Sequence, residues 1–105
     1  MDGKTKTARE LLTIGVIEGL GTAILFLAIN FSSGDILVVA TGILTAAVLS
    51  GKLTGAHFNS SVTIAFLITE GMGKFRANVK IALVMIVSQF IGAYLGSLCA
   101  YLELE

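Results

Sequence analysis

Apolar and polar positions along this chain alternate in long blocks rather than at the short periods of a soluble helix or strand. From Leu11 to Phe31 the chain is apolar apart from one charge, Glu18, and Ile81 to Leu102 carries no charge. Each block spans a hydrocarbon core of roughly 30 Å at about 1.5 Å per residue, which predicts membrane helices at about Leu11 to Phe31 and about Val79 to Tyr101. Between them, Ile36 to Glu70 is interrupted only by Lys52. That stretch is too long for one helix and too short for two full spans of about 20 residues plus a turn. One span and one half span fit it. The expected layout is a full helix from about Ile36 to Ser50 or Gly51, a loop through Gly51, Lys52, Thr54 and Gly55, and a short helix from Asn59 to about Thr69. The short helix would measure roughly 16 to 18 Å, half the membrane core. The predicted class is an all-α membrane protein with three transmembrane helices and one re-entrant half helix, in a single domain over residues 1–105.

Composition sharpens this picture. Hydrophobic residues make up 55% of the 105 residues and charged residues 13%, with a mean hydropathy of +0.93, far more apolar than a soluble domain. A soluble bundle would need polar outer faces that these blocks do not supply. The N-terminal MDGKTKTARE is basic, but the apolar segment behind it has full membrane length and no small-residue cleavage site, so it is read as a span rather than a signal peptide. Formal net charge is zero, which gives no basis for a nucleic-acid partner. Cys99, the sole cysteine, cannot form an internal disulfide and reads as a small apolar helix residue. No cofactor and no metal site is expected, since His57 has no Cys, Asp or Glu ligand set around it.

The cations set the orientation. With the N-terminus on the cytoplasmic side, or the equivalent inner side of an organelle, Lys4, Lys6 and Arg9 lie inside, and Lys52 returns there after two crossings. A segment that dips in and comes back keeps Lys74, Arg76 and Lys80 inside as well, so all seven Lys and Arg share one face. A full crossing at Asn59 would send the last three outside, against the positive-inside tendency.

Residues 55 to 63, GAHFNSSVT, concentrate polar groups where the chain otherwise avoids them. A turn at mid-membrane exposes backbone groups that lipid cannot satisfy, so it persists only when buried in protein or lining a wet cavity. Gly55 and Ala56 allow backbones to pass closely. Asn59 is a favoured N-cap, and Ser60 and Ser61 add local caps. The helix start carries a partial positive charge of roughly half a unit, which repels cations and offers donors to neutral polar molecules or anions.

GAHFNSSVT resembles the first signature of the major intrinsic proteins, the aquaporins and glycerol facilitators, whose usual form is SGAHxNPAVT. Glu18, Gly21 and Thr22 resemble the family's E-x-x-G-T, and Gln89, Gly92 and Ala93 its A-Q-x-x-G-A. The resemblance covers about residues 10 to 101 and corresponds to the N-terminal half of the family fold, which pairs two inverted halves of three spans and a half helix each. Two departures stand out. Asn59-Ser60-Ser61 replaces Asn-Pro-Ala, restoring a donor that proline lacks and losing its rigidity. The second Asn-Pro-Ala turn and the filter arginine belong to the family's other half, so one copy is not expected to enclose a pore.

The resemblance implies roles residue by residue. Asn59 would donate its amide hydrogens to water or a polyol hydroxyl; the plainer role is a cap alone. Glu18 would accept hydrogen bonds from the re-entrant loop, in keeping with a mid-span carboxylate whose insertion costs about 2.5 to 3.5 kcal/mol without a partner. A proton relay is the alternative, without a second carboxylate inside the spans. His57 either lines the path or is a satisfied buried side chain. Val39 takes the helix-two filter position by ungapped alignment, where the family often has a larger aromatic or a histidine. Phe58 and Phe66 are expected to pack against neighbouring helices. Gly15, Gly19 and Ala23, and again Ser88, Gly92, Gly96 and Ala100, form small-residue stripes that let helices approach closely, within the bundle or against another subunit.

Function is therefore expected to be that of a half channel, passing water or small neutral solutes once a second half completes the pore, and not that of an enzyme. The alternatives are a non-conducting structural subunit of a larger membrane complex and a piece of a full channel. Expected partners are lipid, other membrane subunits or a complementary second half. A simple antiparallel homodimer is disfavoured, because it would need opposite orientations of one charge pattern.

Overall fold

The computed structural model describes residues 6–104, apart from the side chains at 52, 53, 72 and 104. Lys4, the Lys52 side chain and Glu105 therefore lie outside the described structure. The fold is all-helical, with α1 (Ala8–Phe31), α2 (Ile36–Thr54), α3 (Ser60–Thr69) and α4 (Phe75–Leu104), and a single 3-10 turn at Met72–Lys74 leads into α4. α1 and α4 are long and apolar enough to cross a membrane, while α3 and the apolar part of α2 are shorter.

Local chemistry accounts for the boundaries. α1 begins three residues before the apolar block because Thr7 and Glu10 form a capping box: Thr7 Oγ1 accepts from the Glu10 N–H at 3.2 Å and Glu10 Oε1 from the Thr7 N–H at 3.4 Å. α1 and α2 are joined by a tight turn in which Ser33 and Gly34 take positive φ, and Asp35 caps α2 by accepting from the Leu37 N–H at 2.9 Å. The loop expected at Gly51, Lys52 and Thr54 is helical instead. A helical glycine costs about 1 kcal/mol and does not end a helix. α2 ends at Gly55, whose φ of 88° makes it the left-handed cap and whose N–H donates to Gly51 O at 2.9 Å. α4 starts at Phe75 rather than near Val79, since its first polar turns extend the helix past the apolar block.

The helices pack in two layers of contact. α2 lies antiparallel on α1, with Gly42 against Ala28. α1 and α4 run parallel, in successive contacts of Gly15 with Val84 and Ser88, Gly19 with Gly92, and Ala23 with Gly96. A Cβ at Gly92 or Gly96 would fall on the carbonyl of Gly19 or Ala23, so glycine is what allows this crossing. α3 packs on α4. Parallel packing gathers Lys6, Arg76 and Lys80 around one cavity, with Arg9 close by. Asp35 and Glu103 sit at the opposite helix ends.

The surface is apolar. Leu12 is 67% exposed, Leu20 57% and Ile36 78%, which in water would be a costly arrangement and in hydrocarbon is the expected one.

Candidate functional site

The turn between α2 and α3 is built from residues in unusual backbone geometry. Gly55, Ala56 and Phe58 all have positive φ, at 88°, 56° and 53°. For alanine and a bulky aromatic this is a strained conformation that surrounding contacts must hold in place. Those contacts are visible. The Ala56 N–H donates to Thr54 Oγ1 at 3.1 Å, and the Phe58 N–H donates to Glu18 Oε1. The Phe58 ring lies over Gly21, where any Cβ would occupy the same space.

Glu18 is fully buried, at 0% exposure. Its Oε1 accepts a second hydrogen bond, from Gln89 Nε2 at 3.0 Å, while Oε2 is buried without a hydrogen-bond partner among the described residues. Gln89 is the hub of the site. Its amide also donates to Thr63 Oγ1 at 2.9 Å, and its oxygen accepts from Ser60 Oγ at 3.3 Å. One glutamine side chain thus joins α1, α3 and α4. Thr63 is fully buried as well, with its hydroxyl 3.3 Å from Asn59 O and 3.0 Å from His57 Nδ1. His57 stacks on Phe66, with ring centroids 4.7 Å apart.

At the start of α3, Asn59 Oδ1 accepts from the Ser61 N–H at 2.8 Å, the geometry of an N-cap. Its Nδ2 makes no hydrogen bond to the described residues and is left as a donor pair. Asn59 and Ser60 line an open cavity of about 380 Å³ together with Thr22, Phe26, Phe58 and Gln89.

Residues 55, 57, 59, 60 and 61 thus lie in one turn, and Glu18 reaches it from α1. Val39 does not join this group. It sits in the first turn of α2, about 22 Å along the helix from Thr54. Gly15, Gly19, Gly92 and Gly96 lie in the α1/α4 contact rather than at the turn. Sequence reasoning placed Gln89 in a motif without seeing that it binds three partners, and it missed Thr63. The available signal was a lone carboxamide in the middle of a charge-free block, which in a membrane needs hydrogen-bond partners.

Comparison with protein-family models matches residues 10–104 to Major intrinsic protein. The chain belongs to the major intrinsic protein family. That membership, with two helices long and apolar enough to span, makes it an integral membrane protein of a channel family. Comparison with curated proteins and with solved structures gives no match. The buried Glu18, Gln89 and Thr63 cluster and the exposed Asn59 beside it gather polar groups at the turn of a largely apolar molecule.

Proposed function

We propose that this chain is a half channel of the aquaporin kind, with α1, α2 and α4 as three spans and α3 as a re-entrant half helix, and that it passes water or a small neutral solute only with a second half opposite. The observation that carries this reading is the Asn59 side chain. Its oxygen is committed to the helix cap, and its two amide hydrogens are left to the open cavity beside Thr22, Ser60 and Gln89. Two donors beside the positive end of a helix suit a hydroxyl or a water and oppose a cation. No catalytic step is involved; selectivity comes from donors, dipole and bore.

In this reading a complementary half fold supplies the opposite wall. A second copy inserted upside down is disfavoured, because the cations cluster at one end of the molecule. The hydrogen bond from Ser60 to Gln89 favours a second reading, in which the turn is retained for architecture and the chain serves as a non-conducting subunit. Stopped-flow swelling of liposomes separates the cases. The chain alone is expected to give the permeability of empty liposomes, and channel-like water or glycerol flux would overturn the half-channel reading. Where a partner restores flux, Asn59→Asp is expected to lower it or alter its selectivity by placing negative charge at the helix start. Unchanged flux and selectivity would count against Asn59 as a pore donor, in favour of the architectural reading.

A further inference from the structure

Along the outside of the parallel α1/α4 pair runs an apolar groove of about 390 Å³, walled by Leu12, Val16 and Leu20 on one side and Val84, Ile91 and Leu95 on the other. At the end where both helices begin, it meets a second cavity of about 360 Å³, and Leu11 lines both. The second cavity is lined by Lys6, Arg76 and Lys80 with Phe75 beside them, and by no carboxylate among the described residues. Arg76 and Lys80 are exposed and form no ion pair with the described residues; Lys6 reaches Glu10 at 4.0 Å.

We propose that this composite site holds one anionic phospholipid, its phosphate among Lys6, Arg76 and Lys80 and one acyl chain in the groove. The charge and polarity of the two cavities, in that order along the helices, match those of the lipid. Phosphate suits a planar guanidinium and flanking ammonium groups. The cations sit where a helix pair of membrane length meets the interface, the position at which basic pockets between spans select anionic lipid. An apolar partner helix would fill the groove but would supply no counterion to Arg76 and Lys80, which form no ion pair with the described residues. The proposal rests on membrane insertion, which family membership supplies, and on neither conduction nor a second half.

The test is native mass spectrometry of the full chain extracted from membranes in mild detergent and titrated with dioleoyl phosphatidylglycerol or dioleoyl phosphatidylcholine. One equivalent of the anionic lipid is expected to be retained about a hundredfold better than the zwitterionic one, given about 1 kcal/mol for each basic residue near anionic lipid. Arg76→Gln and Lys80→Gln, both on exposed positions, are each expected to weaken it about fivefold on the same basis. Lys74→Gln, outside the cavity and beside Glu70 at 3.8 Å, should leave it unchanged. Equal retention of the two lipids, unchanged binding in both cavity variants, or equal binding of glycerol 3-phosphate without acyl chains would each overturn the proposal. So would a co-extracted polypeptide that excludes the lipid, because the groove would then be a protein contact.

Discussion

Removing the Glu18 carboxylate would strand the Phe58 N–H and one hydrogen of the Gln89 amide, both in a buried setting. An unmade buried hydrogen bond costs about 1 to 3 kcal/mol, so Glu18→Ala is expected to destabilise the fold by roughly 2 to 4 kcal/mol. Glu18→Gln keeps an oxygen for both donors and should cost distinctly less. Graded SDS unfolding followed by circular dichroism checks the order, and equal losses would mean that the acceptor is not what matters. Ser60 makes the opposite case. It stands at the first position of α3, where the family usually has proline, and Asn59 before it has φ −154° and ψ 127°, the extended conformation that proline imposes on its predecessor. Ser60→Pro is therefore expected to fit the backbone, exchanging the 3.3 Å bond to Gln89 for a preset φ, with a net change within about 1 kcal/mol. A loss of several kcal/mol in the same SDS titration would show that the serine bond carries more of the turn than this geometry implies.

At the scale of the helices, glycine position decides how near α1 and α4 come. Gly92→Ala would drive a methyl group into the Gly19 carbonyl, and a backbone atom cannot swing away, so a cost of about 1 to 3 kcal/mol is expected from overpacking. Gly51 is also helical, but a methyl group there would meet nothing within 4 Å. Gly51→Ala should stabilise α2 by about 0.5 to 1 kcal/mol through helix propensity. Chemical unfolding of the two variants side by side checks both signs. The same contrast explains what was legible in the sequence. Blocks of apolar residues marked where helices cross hydrocarbon, and Asn59 marked the start of α3, because both signals are local. The end of α1 at Phe31 and the start of α2 at Ile36 were legible from hydropathy, whereas the start of α1, the end of α2 and both ends of α4 were not. Those boundaries depend on the Thr7 and Glu10 capping box, on the left-handed Gly55, and on polar turns that extend beyond the apolar block. Long-range pairing was legible only where a lone polar residue demanded a partner. Glu18 did so, and its acceptor role toward the loop was expected from the resemblance. Gln89 demanded partners as well, but three of them on two other helices could not be read before the helices were placed.

The whole molecule joins an apolar exterior, a buried polar hub and a cluster of cations at one end. The hub holds a strained turn in place, and the turn leaves the Asn59 donors open on one side. On the proposed reading a second half fold faces that open side. The charge of the molecule is asymmetric, since Lys6, Arg76 and Lys80 sit together where α1 and α4 begin. The central claim is that the chain dips in after α2, turns midway at Asn59 and returns through α3 to the side it came from. Single cysteines at positions 9, 52 and 74, in a Cys99→Ser background, labelled with a membrane-impermeant maleimide from each face of oriented vesicles, test it most directly. All three are predicted to react from the same face. Labelling of position 74 from the face opposite to position 52 would make α3 part of a full crossing and would contradict the half-channel architecture.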